Sequence, residues 1–172
     1  MSQTKWFDRK FDFSTEQNIF PSIIERLAGT AARLDEKLKT IDPQQLEIKP
    51  GGTWSIKENI GHLTDLEPLW RGRLEDIIQG NLELRPTDLQ NRATDLADHN
   101  NQSIENLLKS FRASRSKTLQ MLDGIDLPTI FKSALHPRLK TPMRTMDLFL
   151  FVAEHDDHHL ARITELSKYK AS

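Results

Sequence analysis

The chain has 172 residues, 24 basic against 25 acidic, and a formal charge of −1, so no general electrostatic pull toward nucleic acid or an anionic membrane is expected. No stretch reaches the ~18–20 apolar residues needed to cross a bilayer, and Met1-Ser2-Gln3-Thr4-Lys5-Trp6-Phe7-Asp8 lacks the apolar run of a secretory signal. Cysteine is absent, which excludes disulfides, thiolate metal sites and a cysteine nucleophile, and fits a cytoplasmic protein.

The length fits a single domain over 1–172, although length alone also admits two. From Pro21 to Ile41, Ile23, Ile24, Leu27, Ala31, Leu34 and Leu38 recur with the 3.6-residue period of an amphipathic helix, and Asp42-Pro43 stops it. Gly51-Gly52 opens a turn. Ser55 and Glu58 have the spacing of a capping box, and Ile60, Leu63, Trp70, Leu74 and Ile77 carry a second helix from Ile56 to about Gln79. Pro68 inside that run predicts a kink or a break.

Residues 80–101 are polar and aperiodic, which predicts a long loop with at most a short helical turn, the kind of segment that often carries function. A third helix from about Ser103 to Asp123 buries Ile104, Leu107, Leu108, Phe111, Leu119 and Leu122, and Gly124 closes it. After an irregular piece holding Pro128 and His136-Pro137, Thr141-Pro142 predicts the N-cap and first turn of a last helix reaching about Lys168. Nothing alternates like a strand with a hairpin turn. Four long amphipathic segments thus predict an all-α four-helix bundle.

On the last helix, Leu148, Val152, His155, His159, Ile163 and Leu166 step by three or four residues, so two imidazoles interrupt the inward stripe. Buried imidazoles need hydrogen-bond partners or a metal. A pair at i, i+4 can grip one ion, and His62 on the second helix is the candidate third ligand, which would leave positions open for water or substrate. His158 competes, because it forms an i, i+3 pair with His155, yet it lies about a hundred degrees from His159 around the helix and reads better as a rim residue or supporting donor. His99, in the polar loop, and His136, beside Pro137, read as exposed rather than ligating, with His136 able to approach the mouth of the site. Glu58, Asp65 and Glu154 are candidates to accept a hydrogen bond from a non-ligating imidazole nitrogen. Trp54, Trp70 and Phe149 read as core, with the alternative that one of them lines a ligand pocket.

Trp54-Ser55-Ile56-Lys57-Glu58-Asn59-Ile60-Gly61-His62-Leu63-Thr64-Asp65, Leu135-His136-Pro137 and Glu154-His155-Asp156-Asp157-His158-His159-Leu160-Ala161-Arg162-Ile163 together resemble the DinB superfamily, and within it the YfiT-like metal-dependent hydrolases. The resemblance implies an antiparallel bundle of up-down-down-up order, a divalent metal (nickel or zinc) on the positions of His62, His155 and His159, and a homodimer. The chain departs from the YfiT-like pattern at Glu154, where a tryptophan is usual, and at Arg162, where a further histidine is frequent.

Two functional classes follow. One is a metal-dependent enzyme acting on a small molecule, either a hydrolase using water or a transferase using a low-molecular-weight thiol, as in relatives that employ bacillithiol or mycothiol. The other is a metal- or ligand-binding stress protein without turnover. A helical dimer whose histidines are satisfied by hydrogen bonds is the weaker third reading.

Overall fold

The computed structural model describes residues 3–169. Six helices appear in it: α1 (Phe20–Leu38), α2 (Ile56–Gln79), α3 (Arg92–Leu96), α4 (Ile104–Asp123), α5 (Leu127–Phe131) and α6 (Thr145–Leu166). Two three-residue strands, β1 (Ser133–Leu135) and β2 (Pro142–Arg144), pair antiparallel between α5 and α6. The ends of the long helices follow local chemistry. The Ser55 hydroxyl accepts from the Glu58 amide at 3.1 Å while the Glu58 carboxylate accepts from the Ser55 amide at 2.8 Å, closing the expected capping box. Gly80 ends α2 with φ of 81°, where a Cβ would be strained. Pro68 does not interrupt α2, which continues on both sides of the lost bond to the Thr64 carbonyl.

The last helix begins later than Thr141-Pro142 predicts. Pro142–Arg144 is strand, and the N-cap is Arg144, whose amide and guanidinium both bind Asp147. Strands of three residues are too short to leave an alternating pattern, which is why the hairpin is invisible in the sequence.

Contacts across the bundle give its direction. Arg26 meets Glu154, Thr30 meets Asp156 and Lys37 meets Thr164, so α1 and α6 run parallel. Asn59 meets His159 while Trp70 packs on Phe151, so α2 and α6 are antiparallel. Arg112 pairs with Asp35 and Arg115 reaches the Leu27 carbonyl, so α1 and α4 are antiparallel. This is up-down-down-up, with the chain crossing the length of the bundle between the parallel α2 and α4.

Two apolar clusters fill the interior. Ile23, Leu27, Trp70, Leu74, Phe149 and Val152 anchor one, and Leu34, Ile60, Leu63, Phe111, Leu160 and Ile163 the other. A buried polar layer separates them at mid-height. There Arg115 Nε donates to Glu67 at 2.7 Å, its Nη1 and Nη2 donate to Asp156 at 2.6 and 3.0 Å, and the Thr30 and Thr118 hydroxyls close the remaining acceptors. Among the described residues, no helix is long and apolar enough to cross a membrane.

Candidate metal centre

His62 projects from the first half of α2, and His155 and His159 from successive turns of antiparallel α6. One nitrogen from each ring lies within 4.8 Å of the others, and all three residues are buried, at 3%, 4% and 7% exposure. His155 Nε2 and His159 Nε2 approach to 3.2 Å. Along α6 the two histidines follow Phe151, which packs on Trp70, and flank Asp156 of the polar layer.

Hydrogen bonds behind the rings fix which nitrogens face inward. The Thr94 hydroxyl donates to Asp65 at 2.7 Å, so its oxygen is free to accept from His62 Nδ1–H at 2.9 Å. Asp65 also accepts from His99 Nε2 at 2.9 Å. Asn59 donates its amide to the Ser55 carbonyl at 2.7 Å, which turns its oxygen toward His159 Nδ1–H at 2.8 Å. His62 and His159 therefore present bare Nε2 lone pairs to the centre, the tautomer that outer partners impose on metal-ligating histidines. His155 Nδ1 is buried without a partner. Ring nitrogens from three buried histidines converging within 4.8 Å fit a small divalent cation.

Charge on these rings is suppressed. Burial pushes His62 down to about 4, and burial together with the neighbouring imidazoles holds His155 and His159 well below the usual histidine range. At neutral pH all three imidazoles are neutral. In the unfolded chain the same rings titrate near 6.5, so the unfolded state binds more protons as pH falls through that value, and stability present above it is lost. His62 alone is expected to cost metal-free protein about 2 kcal/mol between pH 7.5 and 5. His136, pushed down to about 4 by burial and then by Arg73, Arg138 and Lys140, acts in the same direction. Denaturant midpoints of metal-free protein should fall steadily over this range; a flat profile would mean the rings are charged or exposed in the fold.

The remaining sequence expectations divide. His158 is half-buried, stays outside the three-nitrogen cluster and lies against Trp6 with ring centroids 5.5 Å apart. His99 and His136 are buried at 6% and 2% exposure, not exposed as the loop composition implied. His99 is drawn in by Asp65, and Gly61 makes room for it, since a Cβ there would lie 2.3 Å from the His99 ring. Of the three candidate carboxylates, only Asp65 reaches a site histidine, through Thr94. Glu58 is held by Lys49 and its cap, and Glu154 by Arg9 and Arg26. Trp70 and Phe149 are core, whereas Trp54 is half-buried over the site, 4.6 Å from His62 and 6.3 Å from His159, with its Nε1 on Asp95.

Sequence reasoning missed Asn59, Thr94 and Trp6. Asn59 stands one turn before His62 on the same face, a signal that was readable. Thr94 lies in the aperiodic loop, on α3, and Trp6 comes from the N-terminal segment to sit 4.9 Å from His155; no pattern marks either. A cavity of about 750 Å³ opens onto the centre, walled by Trp6, Trp54, Trp70 and Phe151.

Comparisons with known proteins agree with the fold. No curated protein sequence matches the chain. YfiT from Bacillus subtilis, described as a probable metal-dependent hydrolase with an unusual four-helix bundle topology, superposes with a TM-score of 0.77 at 22% identity, covering 93% of this chain and 92% of that one. The sequence profile of the DinB superfamily matches residues 26–163, a span holding all four long helices except the first six residues of α1 and the last three of α6. This chain belongs to the DinB superfamily.

Proposed function

We propose that His62, His155 and His159 hold one divalent ion, zinc or nickel, and that the protein is a metal-dependent enzyme acting on a small molecule in the adjoining cavity. The convergence of three neutral, buried imidazoles carries this reading. Imidazole-only ligation suits zinc and nickel and leaves the ion its full charge. When bound, such an ion polarises an acceptor group and acidifies water or a thiol, serving hydrolysis or thiol transfer. The chain's own residues do the rest. Asn59 and the Thr94–Asp65–His99 relay orient the rings, while Trp6, Trp54 and Trp70 exclude bulk water and shape the entrance.

A second reading, binding without turnover, draws on the carboxylates: Asp65, Asp95 and Glu154 are all already engaged, so none stands free as a general base. Screening metal-replete protein against thiol acceptors and simple esters or amides separates the two. Wild type should turn over at least one substrate class well above His159→Ala, and His158→Ala should keep both metal and rate better than His159→Ala. Equal rates for wild type and His159→Ala across the panel would leave a binder, and the reverse ranking of the two variants would place the ligand on the other face of α6.

A further inference from the structure

Arg73, His136 and Arg138 have no part in the metal reading, yet both arginines line the same cavity as the three histidines. Arg73 is only 1% exposed. Its Nε donates to the Arg85 carbonyl at 3.1 Å, its Nη1 faces His136 Nε2 at 3.1 Å, and its Nη2 is buried with no partner. Asp76 is near Arg73 in sequence but is taken by Arg85, which binds it through Nε, Nη2 and its backbone amide. Arg138 is half-buried, its guanidinium 5.2 Å from the Phe7 ring centroid, and its Nη2 is likewise buried without a partner. Neither arginine forms an ion pair among the described residues.

The histidine between them adds no acceptor to spare. His136 Nδ1 is approached by the amides of Arg138 and Leu139 at 3.2 and 3.1 Å, and its Nε2 by Arg73. A neutral imidazole carries one proton, so whichever nitrogen holds it, one of these contacts sets two N–H donors against each other. Burial lowers Arg73 to about 10, with Asp76 opposing and Arg138 adding to the effect, and burial lowers Arg138 as well. Two desolvated guanidiniums without a counter-charge are costly, and their forked donors match an oxyanion.

We propose that Arg73 and Arg138, buttressed by His136, form an oxyanion subsite that takes a carboxylate or phosphate group of the cavity's ligand. An aromatic wall links this subsite to the three histidines. Trp70 lies 5.6 Å from the Arg73 guanidinium and 5.9 Å from the His155 ring, and Phe151 lies 5.7 Å from the His136 ring. The matching ligand has an anionic end, an apolar body against Trp70 and Phe151, and its reacting group toward the histidines. That last assignment rests on the metal-centre reading; the anion subsite itself does not.

Calorimetric titration with benzoate, phenyl phosphate and neutral benzamide tests it, on metal-loaded protein and on protein stripped with a chelator that is then dialysed away. At least one anion should bind tenfold or more tightly than benzamide in both forms, and the tighter of the two anions identifies the group. Arg138→Gln and Arg73→Lys, checked for native circular dichroism, should each lose about tenfold or more in that affinity. If buried Arg73→Lys fails to fold, half-buried Arg138→Gln decides alone. Benzamide binding as well as both anions, or folded Arg138→Gln binding like wild type, would overturn the subsite. So would anion binding that vanishes with the metal and ignores the arginines, because that is ligation to the ion. Arginine-dependent binding in protein that takes up no metal would leave the subsite standing and sink the metal reading.

Discussion

Replacing Arg115 by methionine is expected to destabilise the protein by about 3–5 kcal/mol, the usual cost of removing one partner from a buried ion pair. Arg115 bridges two fully buried carboxylates, of which Arg71 reaches only Glu67, at 3.8 Å, and it also satisfies the Leu27 carbonyl of α1. Burial raises the Glu67 carboxyl, and Arg115 and Thr118 counter that shift, so without Arg115 Glu67 keeps only the longer contact to Arg71 and Asp156 has no cation within ion-pair distance among the described residues. Because the layer ties α1, α2, α4 and α6 together, the loss falls on the whole bundle. Against a typical total stability of about 5–15 kcal/mol, the variant should be partly unfolded at 37 °C. Guanidinium melts read this directly. A loss under about 1 kcal/mol would mean the layer is solvated in solution and does not hold the helices together.

Substituting His155 by alanine is expected to lower metal affinity by more than ~100-fold, because even outer partners of metal ligands are worth about 10–100-fold. His155 has no substitute nearby: His158 points to Trp6, and the carboxylates around the centre are committed elsewhere. The fold should survive, since the variant removes a polar ring next to a cavity and leaves the Arg115 layer intact. The apolar gap it opens against Trp6 and Trp70 should still cost some stability. Competition titration with a chromogenic chelator gives the affinity. Wild-type affinity in folded His155→Ala would remove this residue from the site.

Much of the bundle was legible because its signals are local and periodic. The limits of α2 and α4 follow from Ser55, Gly80, Ser103 and Gly124, each a cap or stop next to an apolar stripe. The i, i+4 spacing of His155 and His159 fixed their common face, and His62 could be paired with them because the bundle leaves few inward positions. What escaped depends on contacts distant in sequence. His99 and Thr94 look like loop residues until Asp65 on α2 organises them, 34 and 29 positions away. His136 looks like a turn residue until the short β1–β2 hairpin folds it under Arg73. Polar composition marked residues 80–101 as a long loop, and hydrogen bonds to the helices turn parts of that segment inward.

Anomalous diffraction from crystals of the native protein, collected across the nickel and zinc absorption edges, measures the centre itself. One peak is expected about 2.0–2.1 Å from a ring nitrogen of each of His62, His155 and His159. A peak held by other residues, or none in protein purified without chelators, would contradict the shared-ion centre.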